Sequence, residues 1–279
     1  MKKPVKRALI IHSLCAVGKA SLTNILPVLS ILGVEGCPIP STILSSHTGG
    51  FKEIEKVEIG SFIEKSINSI EHNEINMDLA LIGYLGDIKN LEFIKNYIRK
   101  NFEKEKIVLD PILGDNNKLY KGFSEEHVQN MRDLIKGCFL ITPNLTEALY
   151  LTGRDVSLAK NMNDDLIRDI CIDLRELGAK NIIITSVTTK KDKVGVCIFE
   201  EGKLYTAYSD KVEKSYPGTG DIFTSIVSGE VLKGKSIYES VKIAMDFLYE
   251  TIKYSSNFNY DTKEGVLLED NLYKLIEKR

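Results

Sequence analysis

Residues 7–44 read RALIIHSLCAVGKASLTNILPVLSILGVEGCPIPSTIL. The opening run, Arg7 to Ser13, is short and apolar, which suits a strand buried on both faces. From about Ser21 to Leu32 the apolar residues take helical spacing, and Gly33 closes that helix. Cys37 to Leu44 predicts a second strand. Strand, helix and strand in so short a span make a parallel crossover unit. The rest of the chain repeats the rhythm.

Working outward, helices are expected at Ile59–Ile70, Ile88–Phe102, Ser124–Ile135, Leu145–Leu151, Asp164–Leu177, Asp221–Leu232, Ile237–Tyr254 and Leu268–Ile276. Strands are expected at Asp78–Ile82, Ile107–Leu109, Cys138–Thr142 and Ile182–Ser186. Val194–Phe199 and Leu204–Tyr208 should form a hairpin around Glu201-Gly202. The pattern predicts an α/β protein of three layers, α/β/α, around a central, mostly parallel sheet. No Pro/Ser-rich linker or internal repeat divides it, so residues 1–279 read as one domain.

Composition narrows the function classes. Lys plus Arg number 37 against 39 Asp plus Glu, a formal net charge of −2. Phosphate-backbone binding needs a surplus of positive charge, so neither nucleic acid nor an anionic membrane is an expected partner. The basic start Met1-Lys2-Lys3 leads into an apolar run that His12 and Ser13 interrupt, too short for a signal segment. No stretch approaches the ~20 apolar residues of a membrane span. Cys15, Cys37, Cys138, Cys171 and Cys197 are scattered, without a C-x-x-C pair. A disulfide scaffold is not expected, and a reducing cytoplasm is.

In such folds ligands bind where the strands end, so the residues after each strand carry the functional reading. Pro217-Gly218-Thr219-Gly220-Asp221 runs straight into a helix. Two glycines let the backbone turn tightly and aim N–H groups outward at a helix N-terminus, a site for a phosphoryl group. Asp221 could instead simply cap its helix. A cap needs no second glycine, which favours the anion site. Asp110-Pro111-Ile112-Leu113-Gly114-Asp115 sets two carboxylates past a strand. They could hold Mg²⁺ through water, or Asp110 could end a strand while Asp115 sits in a turn. In Thr142-Pro143-Asn144-Leu145-Thr146-Glu147, Asn144 and Glu147 have capping-box spacing and could equally order metal-bound water.

Several chemistries drop out. Val17-Gly18-Lys19-Ala20-Ser21 lacks the leading glycine and the Ser/Thr after lysine of a phosphate-binding P-loop. It reads as a flexible loop over a ligand. His12, His47, His72 and His127 lack zinc-protease spacing, and no G-x-S-x-G elbow offers a serine nucleophile. His47, in the polar loop Ser45–Phe51, could face a ligand.

Taken in order, IIHSLCAVGKASLTNILPVLSILG, SSHTGG, GYLGD, DPILGD, TPNLTE, ITS and PGTGD resemble the ribokinase-like superfamily. Within it the chain resembles the pyridoxal/pyridoxamine (vitamin B6) kinases. The resemblance implies ATP-dependent phosphorylation of the 5′-hydroxymethyl group of a B6 vitamer, with Asp221 as catalytic base. It implies an anion hole of Gly218, Thr219 and Gly220, and Ser13, His47, Thr48 and Tyr84 around the vitamer. Asp110, Asp115, Asn144, Glu147, Thr185 and Ser186 fall on the nucleotide and metal side, with Mg²⁺ on Asp110 and Glu147 mostly through water, and Lys190 or Lys191 nearby. A monovalent cation such as K⁺ and a homodimer are further implications. Ser45-Ser46-His47-Thr48 departs from the Ser-Asn-His-Thr of many relatives. The alternatives are a hydroxymethylpyrimidine kinase, whose anion hole often carries a cysteine absent from Gly220-Asp221, and a catalytically silent ligand-binding relative.

Overall fold

The computed structural model describes residues 3–86, 91–101, 106–187, 190 and 192–277. Along the chain the elements begin with β1 (Arg7–Val17), α1 (Leu22–Ile31), β2 (Glu35–Ser46), β3 (Lys56–Glu58), α2 (Phe62–His72) and β4 (Leu79–Ile82). There follow α3 (Leu91–Asn101), β5 (Lys106–Leu109), β6 (Gly114–Asp115), β7 (Lys118–Leu119), α4 (Glu125–Ile135), β8 (Leu140–Ile141), α5 (Leu145–Leu151) and α6 (Asp164–Glu176). The chain ends with β9 (Asn181–Val187), β10 (Lys193–Glu200), β11 (Lys203–Asp210), α7 (Thr219–Leu232), α8 (Ile237–Ser256) and α9 (Lys274–Glu277). Contacts group these into two compact units, one of residues 1–90 with 211–279 and one of residues 91–210.

In the first unit, β1 pairs in parallel with β4 on one side and β2 on the other, and β3 adds an antiparallel edge to β2. Ala8, Leu9, Ile10 and Ile11 of β1 are fully buried, as are all four residues of β4. Such two-sided burial is what continuous apolar runs in parallel strands predict. Helix α7 packs against both α1 and α8. Every residue from Asp221 to Val231 is buried, so this helix lies in the core rather than over it.

In the second unit, β5, β8 and β9 are parallel neighbours, and β10 and β11 continue from β9 antiparallel. The β10–β11 hairpin turns on Glu201-Gly202, with φ of +51° and +78°, the mirror-image turn that matches strand twist. Asn116-Asn117 makes the same kind of turn between β6 and β7, where the sequence predicts a turn without the strands beside it.

The two units differ from expectation in a few places. The first strand, expected over Arg7–Ser13, runs on to Val17, the first residue of the expected loop, because Cys15 and Val17 keep parallel partners in Leu44 and Ser46. Beyond it, the Lys19 N–H donates to the Glu264 carbonyl and Ser21 bridges Leu14. The terminal helix expected at Leu268–Ile276 shrinks to α9. Asn271, fully buried, donates its side-chain N–H to the Leu267 carbonyl, and most following backbone bonds span three residues rather than four. Ile88 and Phe102, at the ends of the expected third helix, and Asp87 of GYLGD lie outside the described residues, as does Lys191. Among the described residues, no helix is long and apolar enough to cross a membrane.

Candidate active site

The first unit gathers one cluster around the start of α7. Gly218 is the N-cap, with φ +79°, a left-handed conformation that glycine adopts without steric penalty. A side chain there would also collide with the Lys19 carbonyl and Asn24. Buried Asn24 explains the closeness: its amide donates to both the Lys19 and Gly218 carbonyls, at 2.9 and 3.1 Å. The Thr219 hydroxyl donates back to Tyr216, and a side chain at Gly220 would meet only open space. The first N–H groups of a helix have no carbonyl within it to bond, so this turn presents donors.

Asp221 is the third residue of α7 and does not cap it. Its Oδ2 accepts the Ser21 N–H at 2.6 Å, and its Oδ1 lies 3.2 Å from His12 Nε2. Ser21 reaches this position with φ +60° and ψ −139°, a conformation costly for a residue with a side chain. Its hydroxyl shares a 2.8 Å hydrogen bond with that of Ser13. The Ser13 N–H donates to His12 Nδ1 at 2.9 Å. His12, Ser13, Ser21 and Asp221 are all buried.

The other residues expected around a vitamer stand differently. His47 has both ring nitrogens engaged by backbone: Nδ1 accepts from Gly49 and Nε2 bonds the Lys263 carbonyl at 2.6 Å. Thr48 is exposed, and Tyr84 is half-buried with its carbonyl accepting from the Ser41 hydroxyl.

The second unit holds the other cluster, where the N-terminus of α5 grips the β6–β7 hairpin. Asn144 caps α5: its Oδ1 accepts the Glu147 N–H and its amide donates to the Gly114 carbonyl. Thr146 accepts the Asn117 N–H through its hydroxyl. Glu147, 3 % exposed, accepts Leu113 and Gly114 N–H on Oε1 and the Asn144 N–H on Oε2. Burial, and then the nearby Asp110 carboxylate, push the Glu147 carboxyl well above the usual carboxylate range against the pull of those three donors.

Asp110 is buried beside it, whereas Asp115 is exposed and bonded to the backbone and side chain of Asn116. Thr185 joins this cluster through its N–H, which donates to the Pro143 carbonyl. Ser186 has φ +61° at a bulge, where Ile184 to Val187 of β9 face only Cys197 to Gly195 of β10. The Lys190 ammonium sits 4.0 Å over the Tyr208 ring.

No group of three or more His, Cys, Asp or Glu among the described residues could hold a metal ion. The Asp110–Glu147 pair still fits Mg²⁺, which binds one or two carboxylates and keeps several waters. Two buried carboxyls that disfavour each other's charge are what a divalent cation would neutralise.

His12 and Ser21 adjoin Asp221, and the sequence reading misses both. The one signal is a histidine inside an otherwise apolar strand. Ser21 donates to Asp221 from 200 residues away, which no local spacing can reveal.

A family model described as phosphomethylpyrimidine kinase matches residues 25–266. The chain belongs to this family. A candidate phosphomethylpyrimidine kinase from Bacteroides thetaiotaomicron is 32 % identical, with a TM-score of 0.94 covering 99 % of this chain and 96 % of that one. A second crystal form of that protein contains pyridoxal, at a TM-score of 0.92. Pyridoxal kinase of Arabidopsis thaliana is 29 % identical over 72 % of this chain and 66 % of its own length. The hydroxymethylpyrimidine/phosphomethylpyrimidine kinase of Haemophilus influenzae is 25 % identical over 88 % and 90 %. The fold is therefore the ribokinase-like one, with a mostly parallel central sheet and flanking helices. The protein is a kinase of the pyridoxal or hydroxymethylpyrimidine type.

Proposed function

We propose that this kinase transfers the γ-phosphoryl group of ATP to the 5′-hydroxymethyl oxygen of a B6 vitamer, giving the 5′-phosphate and ADP. Asp221 carries the reading: a buried carboxylate at the head of a helix whose first N–H groups have no partner within the helix, beside a glycine that leaves open space. The alcohol oxygen forms its bond to phosphorus as the bond from phosphorus to the ADP oxygen breaks. Its proton passes to Asp221. Phosphoryl transfer is dominated by positioning and charge stabilisation, so a modest base suffices. Backbone N–H groups at Gly218, Thr219 and Gly220 take up charge on the phosphoryl oxygens.

Ser13, Thr48 and Tyr84 are assigned to the acceptor, and His47 offers it a ring rather than a free nitrogen. Asp110, Asn144 and Glu147, with Asp115, Thr185 and Ser186, are assigned to the nucleotide side. Asp110 and Glu147 would hold Mg²⁺ mainly through water, and the ion would neutralise phosphate charge there. The whole chain, residues 1–279, serves this one reaction.

The vitamer assignment is supported by the pyridoxal in the crystal of the Bacteroides relative, which this chain matches over 98 % of its length. A second reading, hydroxymethylpyrimidine as acceptor, is favoured by the family description and by the Haemophilus relative. Both readings use the same residues in the same roles. ADP formation from Mg-ATP is to be measured separately with pyridoxal, pyridoxine, pyridoxamine and hydroxymethylpyrimidine. A higher kcat/KM for a B6 vitamer is expected. Turnover of hydroxymethylpyrimidine alone replaces the first reading by the second, and saturable ATP binding without turnover of any acceptor removes both.

A further inference from the structure

We infer that His12 is a positioning residue for phosphoryl transfer, fixing the plane of the Asp221 carboxylate through its Nε2–H. The inference rests on the role proposed above for Asp221. Its geometry lies wholly within the first unit.

His12 is 1 % exposed, so its ring polarity has no solvent to satisfy it. Nδ1 accepts the Ser13 N–H at 2.9 Å and therefore carries no proton. The ring proton sits on Nε2, the atom facing Asp221 Oδ1 at 3.2 Å. That Nε2 makes no aligned hydrogen bond to any group among the described residues. A buried donor left unsatisfied costs free energy, and a small rotation of the carboxylate would satisfy it. Hydrogen bonds that orient a reacting group are often long before substrate arrives and tighten in the reactive complex.

The ring is held where it is by two further features. Gly83, at the end of β4, lies so close that any side chain there would run into His12 Cδ2 and Nε2. The Ser13 N–H fixes the other edge of the ring. Asp221 thus has the Ser21 N–H bonded to Oδ2 and His12 Nε2 3.2 Å from Oδ1, where a turn of the carboxylate would complete a second bond. Two such donors set the carboxylate plane and leave a remaining lone pair for the alcohol proton. Without His12 the carboxylate keeps one anchor and can turn about it, and misoriented bases transfer protons slowly.

The test uses the full-length protein and five variants: His12→Leu, His12→Gln, Gly83→Ala, Asp221→Asn and the double variant His12→Leu with Asp221→Asn. His12→Leu should lower kcat by on the order of 10- to 100-fold, the range for losing a partner that orients a reacting group, with the ATP KM nearly unchanged. His12→Gln, whose amide N–H can replace Nε2–H, should recover most of the loss. Gly83→Ala, which displaces the ring without deleting it, should resemble His12→Leu. In the Asp221→Asn background, His12→Leu should have no further effect. Equal losses in the Leu and Gln variants, or additive losses with Asp221→Asn, would overturn the inference.

A readout independent of turnover separates this from the kinase assignment. ¹⁵N NMR of the ring should report protonated Nε2 and bare Nδ1, with the Nε2–H resonance moving in Asp221→Asn. An Nδ1–H tautomer, or a resonance indifferent to Asp221, would sink the inference even if the enzyme is active. The expected spectra with no turnover of any acceptor would leave the contact standing and remove the reaction it was assigned to.

Discussion

Asp221 and Glu147 occupy the same position in their helices, the third residue of α7 and of α5. Their surroundings make them opposites. Glu147 folds back on its own N-cap, accepting the Asn144 N–H while Asn144 accepts the Glu147 N–H, and its other oxygen ties down Leu113 and Gly114. Asp221 has a glycine for an N-cap, which offers no side chain to complete such a box, and a side chain one carbon shorter. Its oxygens instead face Ser21 and His12, from the segments around the first strand. The same helical position thus yields a carboxyl tied into a capping box and a hairpin in one unit, and in the other a carboxyl faced by residues remote in the chain.

The largest effect should separate the two directly. Asp221→Asn keeps the size of the side chain and removes the base, so kcat should fall by about 10²- to 10⁴-fold. ATP affinity by calorimetry and the thermal midpoint should stay near those of the unaltered protein. Near-normal kcat in the Asp221→Asn variant would break the contrast.

Glu147→Ala should act on stability first. It strands two buried N–H groups and the part-buried one of the capping box, for a loss of about 2–3 kcal/mol by urea unfolding. A variant as stable as the parent would mean that relief of the Asp110 repulsion equals the lost bonds.

The pH dependence sharpens the same point. Glu147 holds its proton more tightly folded than unfolded, so the folded state binds more protons above the ordinary carboxyl value of 4.5. Its contribution is fully present below that value and is lost as pH rises through the raised folded one. Urea midpoints taken across acid to neutral pH should show this decline, and Glu147→Gln should flatten it. An unchanged slope in the Gln variant would assign the decline to other groups.

The smallest effect belongs to Ser186. Its φ of +61° is tolerated at the bulge, but a β-branched residue is not readily accommodated there. Ser186→Val should cost about 1–2 kcal/mol, whereas Ser186→Gly should fall within about 0.5 kcal/mol of the parent, since relief of strain offsets added chain entropy. Equal midpoints for the two variants would mean that the bulge relaxes.

Much of this molecule is legible in its sequence. Strands β1 and β4 announce themselves as apolar runs, the β10–β11 hairpin by Glu201-Gly202, and the helices by spacing and caps. The capping box of Asn144 and Glu147 can be read because its partners stand three residues apart. The end of the first strand misleads, since His12 and Ser13 look like its limit until β2 supplies parallel partners as far as Val17. The end of the chain misleads because a single buried Asn271 diverts a backbone carbonyl.

By itself, the sequence determined the order of the helices and of the strands other than the short β3, β6 and β7, the turn at Gly218 and the candidate carboxylates, which follow from periodicity and short-range hydrogen bonding. Tertiary structure alone decided which distant groups face each carboxylate. That choice depends on donors such as the Ser21 N–H, brought to Asp221 across 200 residues, and only packing of the chain can bring them there.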